Sequence, residues 1–158
     1  MVEESTARKG YSTRVDPEIH AVARGKELPI SPKHSTEICR KLRHMYLDDA
    51  IAYLDEVIEM KTPVAFKRHK KYVPHRKGKG FGPGRFPVKA ASRIKKLLEN
   101  AEQNAEYKGL ETDMLFIRHI SAYKGQTTQG WRPRAHGRSS PWNHETVNIE
   151  VVLEEMEE

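Results

Sequence analysis

The sequence predicts an α+β fold, a small antiparallel sheet packed against three helices, with a long β-hairpin protruding from it. Two strand-like runs, 114–124 and 146–153, enclose a middle piece, 125–144, that has no acidic residue, holds both tryptophans and has almost no aliphatic side chains. A connection that long inside a compact domain is normally functional or disordered. Upstream, three segments carry apolar residues at the i, i+3, i+4 spacing of amphipathic helices. At 158 residues the chain can bury one modest core, not two, which implies a single domain. Its body is expected at about 18–62, 88–117 and 147–154, with a basic insertion at 63–87 and a hairpin at 113–154 whose far end spans about 126–144.

Residues 1 to about 17 are polar and read as an extended arm ending in Asp16-Pro17. Ile19 to Arg24 alternates weakly, as a short strand does, and Gly25 and Pro29 are expected to break it. Ser31 and Pro32 form a helix start, with Pro at the first helical position, where a missing N–H costs nothing. Ile38, Leu42 and Met45 follow at helical spacing, with Cys39 and Tyr46 beside them. A second stripe comprises Leu47, Ala50, Ile51, Leu54, Val57 and Ile58. Asp48 and Asp49 are favourable in its first turn, and Thr62-Pro63 is expected to end it.

The third helix is expected from near Val88 to about Lys108, with Gly109 as C-cap. Ala90, Ala91, Ile94, Leu97, Leu98, Ala101 and Ala105 form its buried face. In the last strand Val147, Ile149, Val151 and Leu153 make one apolar face. The earlier strand is less regular, since Phe116, Ile120 and Ala122 share a face with Arg118. The apolar parts of both strands lie at the open end of the hairpin, so that end belongs to the core and the other projects. From Met114 to a midpoint near Pro133 the arm could reach roughly 50 to 60 Å at about 3.3 Å per residue. The acidic tail, 154–158, reads as solvated.

Charge is segregated. The formal net charge is +6, yet from Met60 to Leu98 there is no Asp or Glu among thirteen Lys or Arg, and from Met114 to His144 there are five bases and again no acid. Solvated faces usually mix signs, so these windows read as the footprint of a polyanion. In the first, Lys67, Arg68, Lys70, Lys71, Arg76, Lys77, Lys79 and Arg85 interleave with Phe66, Tyr72, Phe81 and Phe86, and Arg93 continues the window into the third helix. Such a segment has no core of its own and is expected to order only against a partner. In the second, Arg118, Lys124, Arg132, Arg134 and Arg138 accompany His136, Trp131 and Trp142. Aromatic rings without a core to enter suit stacking on unpaired bases, and arginine adds bidentate phosphate contacts.

Other chemistry finds little support. The run from Gly78 to Gly84 lacks the Gly-Lys-Ser/Thr ending of a phosphate-binding loop. His69, His75, His136 and His144 lack zinc-ligand spacing and Cys39 stands alone, so neither a metal nor another cofactor is expected. No acid, base and nucleophile converge, and Ser139-Ser140 lacks the Gly-x-Ser-x-Gly context, so no catalysis is expected. Without an apolar run of about 18 residues or the apolar core of a signal peptide, the chain reads as soluble and cytoplasmic, away from membranes.

Taken together, these residues resemble a known family. Arg132-Pro133-Arg134-Ala135-His136-Gly137-Arg138, preceded by Leu28-Pro29-Ile30-Ser31-Pro32-Lys33-His34 and by Glu99-Asn100-Ala101 to Asn104-Ala105-Glu106, and followed by Ile149 to Leu153, is similar to the large-subunit ribosomal proteins called L-twenty-two in bacteria and L-seventeen in eukaryotes. The likeness covers about residues 18–154, and the segment 63–87 resembles the archaeal and eukaryotic branch. It implies a structural component that binds large-subunit rRNA at several sites, neighbours other ribosomal proteins, and lines the peptide exit tunnel with its hairpin. The tip that meets the nascent polypeptide then falls at Gln129, Gly130, Trp131 and Arg132, with Arg118, Lys124, Arg134 and Arg138 along RNA. The competing expectations are an RNA-processing enzyme with a basic surface and a free-standing nucleic-acid-binding module.

Overall fold

The computed structural model describes residues 11–78 and 80–156. In chain order it comprises β1 (His20–Leu28), α1 (Pro32–Leu42), α2 (Leu47–Ile58), β2 (Val64–Ala65), β3 (Gly84–Arg85), α3 (Val88–Lys108), a single 3-10 turn (Thr112–Met114), β4 (Leu115–Thr128), β5 (Trp131–Pro133), β6 (Ser139–Pro141) and β7 (His144–Glu155). The expected α+β architecture is present. The main sheet is antiparallel, in the order β1-β7-β4, with β2-β3 and β5-β6 as two small two-stranded ladders. Among the described residues no helix is long and apolar enough to cross a membrane.

The three helices cover one face of the main sheet. Val147, Ile149, Val151 and Leu153 of β7 meet Ile38 and Leu42 of α1, Leu47, Ala50, Leu54 and Val57 of α2, and Ala90 to Ala105 of α3 in one core. The seven residues expected to form the buried face of α3 are the seven that do so, and Gly109 closes it at φ 79°. Ser31 and Pro32 open α1 as anticipated, though the Ser31 hydroxyl makes no capping bond. Met45 lies past the end of α1, partly buried against the core. α2 ends at Ile58, earlier than Thr62-Pro63, because Met60 turns into the left-handed region at φ 60°.

Two departures come from β-bulges. β1 does not stop at Gly25 but runs on to Leu28, its register with β7 shifting between the pairs Gly25↔Ile149 and Leu28↔Val147. Glu27 takes up the extra length at φ 51°, and its N–H donates to the Asn148 side-chain oxygen at 2.8 Å. In β4 the pairing steps from Ile117↔Leu153 to His119↔Val152. That extra residue switches the inward face from Leu115 and Ile117 to Ile120, which are buried, and leaves Arg118 exposed. The mixed pattern of this strand is the mark of the bulge.

The opposite face of β7 is not solvated. Glu150 and Val152 are fully buried there, and so is Val15 of the N-terminal arm. Glu150 accepts from the Ser12 N–H (3.2 Å to each carboxylate oxygen), the Ser12 hydroxyl and the Ser121 hydroxyl (2.8 Å), with His119 Nε2 at 3.2 Å. From residue 11 to 17 the arm is therefore strapped to the sheet; the rest of the expected arm lies outside the described residues. At the other end Glu154 pairs with Arg118 at 2.5 Å, so the start of the acidic tail is engaged, and 157–158 lie outside the described residues.

Burial pushes the Glu150 carboxyl up, but the serine and histidine hydrogen bonds outweigh it and hold it below its ordinary value of 4.5. A carboxyl depressed on folding stabilises the fold above its unfolded value and loses that contribution as pH falls through its folded value. Urea midpoints should therefore drop as pH is lowered below about 4.5, and Glu150→Gln should show a shallower drop over the same window. An identical acid profile for the variant would show that Glu150 does not contribute to it.

Candidate nucleic-acid interface

The insertion 63–87 differs from its expected character. Val64 and Phe66 are buried, and Phe66 meets His34 edge-on with ring centroids 5.5 Å apart. Phe66 has a core to enter and is not free to stack on a base. The following backbone is held by Glu37, whose fully buried side chain accepts N–H bonds from Lys67 (3.2 Å), Arg68 (2.7 Å) and His69 (2.7 Å), with Arg40 at 3.8 Å. Burial alone would raise the Glu37 carboxyl, yet these three N–H donors, with the charge of Arg40, bring it below its ordinary value. Residues 64–69 are thus ordered by the protein itself. The same argument applies to the return of the chain, where β2 pairs with β3 and Arg76 Nε donates to the Gly84 carbonyl at 2.9 Å.

The basic side chains of this insertion spread outward. Lys67, Arg68, Lys70, Lys71, Lys77 and Arg85 are exposed, and Arg93 is exposed on α3. Arg76 lies 4.9 Å from the Phe86 ring centre, which assigns Phe86 to an intramolecular cation–π pair. Tyr72 is 87% exposed, in the left-handed region at φ 59°, with the Lys71 ammonium 5.2 Å from its ring centre. Lys79 lies outside the described residues.

The second half of the surface is the hairpin. After Ile120 in β4 and before Val147 in β7 no residue is buried, so the two chains leave the body together. The main ladder runs out to Thr128↔His144, breaks at Gln129 and Gly130, and resumes as Trp131↔Pro141 to Pro133↔Ser139. Gly130 is needed at that break, because a Cβ there would stand 2.5 Å from the Trp142 carbonyl oxygen. The chain reverses at Ala135, His136 and Gly137, where the Arg134 N–H reaches the Arg138 carbonyl at 2.8 Å. From Ala122 to that turn, thirteen residues of extended chain span on the order of 40 Å. Gln129, Trp131 and Arg132 flank the break, a few residues short of the turn.

Strand pairing gives some hairpin cations partners that the acid-free window conceals. Arg118 pairs with Glu154, and Lys124 pairs with Glu145 at 2.8 Å, both acids coming from β7. Beyond them Arg132 lies 4.9 Å from the Trp142 ring centre, and Arg134 Nε donates to the Ser140 hydroxyl at 2.9 Å. His136 and Arg138 are exposed at the turn. Among the described residues no three His, Cys, Asp or Glu side chains are grouped to hold a metal ion. Glu37, which organises half of this surface, had no motif to mark it; its only signal is an acid directly beside the inward-facing Ile38 in a basic neighbourhood.

A family model described as ribosomal protein L22p/L17e matches residues 23–154. The large ribosomal subunit protein uL22 of Methanococcus aeolicus is 54% identical over 150 residues, covering 94% of this chain and 98% of that protein. The same-named protein of Methanocaldococcus jannaschii is 53% identical over 146 residues, covering 92% and 94%. That of Methanopyrus kandleri is 54% identical over 143 residues, covering 89% and 90%.

Replacing Glu37 by Ala would leave three partly buried N–H groups without their acceptor, at a cost of up to about 1 to 3 kcal/mol for each that water does not reach. Hydrogen exchange at Lys67, Arg68 and His69 should accelerate at least tenfold in Glu37→Ala, while α3 amides change less. Uniform acceleration across the protein would assign Glu37 to global stability instead.

Proposed function

The chain belongs to the ribosomal protein L22p/L17e family and is a structural, non-enzymatic constituent of the large ribosomal subunit, and from that premise we propose that it binds large-subunit rRNA through two separate basic surfaces. One is the insertion, with Lys67, Arg68, Lys70, Lys71, Arg76, Lys77, Lys79 and Arg85, extended by Arg93. The other is the hairpin, with Arg118, Lys124, Arg132, Arg134, His136, Arg138 and Trp142. The body sits near the polypeptide exit among neighbouring ribosomal proteins, and the hairpin lines the exit tunnel. Gln129, Gly130, Trp131 and Arg132 meet the nascent chain.

The observation that supports this best is the hairpin itself. It leaves a body whose sheet is covered on both faces, and its outer part is exposed, cationic and free of carboxylates from Gly125 to His144. An exposed two-stranded ribbon of that length gains little stability from its own contacts, since an isolated hairpin is marginal in water. Phosphate neutralisation along its cations supplies the missing free energy in the bound state.

Sucrose-gradient sedimentation of a cell extract at moderate salt should find the protein with the large subunit; a protein that remains at the top of the gradient overturns the assignment. Deleting 129–132 should leave incorporation largely intact while altering the response to tunnel-binding drugs or arrest peptides. A subunit that fails to assemble would instead make this stretch an anchor.

A further inference from the structure

Between the first turn of α1 and the insertion lies a cleft of about 300 Å³ whose polar lining is entirely cationic or imidazole: Lys33, His34, Arg68, His69, Lys71 and Arg85. Phe66 and Val73 complete the lining. No carboxylate lines it. Its size stands at the lower end of small-ligand sites, suited to one nucleotide-sized group and not to a helical groove. Lys33, Arg68 and Lys71 are exposed, and none holds an ion pair among the described residues.

Four like charges line this concavity, offset in part by the Glu37 carboxylate behind residues 67–69, and an anion entering it would be favourable. The architecture holds them there. Glu37 fixes the backbone of 67–69, and with it the departure points of Arg68 and His69. The Arg85 guanidinium donates to the Tyr72 carbonyl at 3.3 Å, an interaction that the left-handed conformation of Tyr72 accompanies. Burial, and then the charge of Arg85, push His34 below its ordinary value, so its ring is neutral at physiological pH and still has an N–H to donate. Lys33 and His34 belong to the first turn of α1, where the helix dipole is positive.

We propose that this cleft is a single-phosphate pocket, in which Lys33, Arg68, Lys71 and Arg85 converge on one backbone phosphate of the bound RNA. The inference rests on the rRNA-binding reading above and sharpens it. It adds Lys33 and His34, outside the insertion, to the contact surface. It also changes the counting: several cations share one phosphate, in place of one phosphate for each cation.

Counterion release makes that difference measurable. Each phosphate neutralised contributes about 0.7 to 0.9 to the slope of log K against log salt. The full-length chain is titrated with an archaeal large-subunit rRNA transcript at several salt concentrations, alongside a Lys33→Gln/Arg68→Gln/Lys71→Gln variant. These three side chains are exposed and hold no ion pair, Lys71 making only a surface contact with the Tyr72 ring at 5.2 Å, and circular dichroism should report an unchanged fold. The expected result is a clear loss of affinity with a slope smaller by at most about one phosphate, since Arg85 remains. A slope smaller by about three phosphates would mean separate surface contacts and overturn the pocket. So would unchanged affinity and slope, the outcome expected if the cleft serves an acidic peptide. A wild-type chain that shows no salt-dependent binding would overturn the rRNA-binding reading itself, a result distinguishable from either.

Discussion

The double pairing of β7 is the constraint on which the remaining structure depends. β7 hydrogen-bonds along one edge to β1 and along the other to β4, and both of its faces are covered. One face seats the three helices and the other is closed by the arm at Ser12 and Val15. A one-residue slip in this strand would place Glu150 among the aliphatic side chains and Ile149 under the strap, so the register is strongly specified. Because β7 is also one half of the hairpin, the same register aims the projecting ribbon. Its root is fixed by the most tightly packed strand in the molecule.

Two buried carboxylates do for the irregular segments what β7 does for the regular ones. Glu150 gathers Ser12, Ser121 and His119, and Glu37 gathers the N–H groups of Lys67, Arg68 and His69. Neither the arm nor the insertion has enough apolar surface to hold itself down. A desolvated carboxylate that accepts three or more hydrogen bonds substitutes for a hydrophobic anchor, because removing any donor leaves charge under-solvated. This is why polar segments in a small protein are positioned with few apolar contacts, Val15 in the arm and Val64, Phe66 and Val73 in the insertion.

Legibility in the sequence followed periodicity. The buried face of α3 and the inner face of β7 were readable because a single repeat of 3.6 or 2.0 runs through each without interruption. β1 and β4 were partly readable, since a bulge inserts one residue and reverses the parity beyond it: Gly25 looked like a stop, and Arg118 looked like an intruder in an apolar face. The insertion was the least readable. Its composition is that of a loop awaiting a partner, and the residue that orders it, Glu37, lies some thirty positions away on a helix. Long-range hydrogen bonds to backbone N–H groups leave no pattern in the donor segment, because every residue but proline supplies the same donor.

The charge pattern along the hairpin then acquires a direction. Arg118 and Lys124, near the root, carry exposed ion pairs with Glu154 and Glu145, each worth at most about 1 kcal/mol. A phosphate approaching them meets a carboxylate already in place. Farther out, Arg132 rests on Trp142, Arg134 is oriented by Ser140, and Arg138 stands at the turn, with no acid between Gly125 and His144. The positive potential therefore strengthens away from the body. The cations without a carboxylate partner thus lie on the part of the ribbon farthest from the core, while the root, with its paired cations, belongs to the protein body.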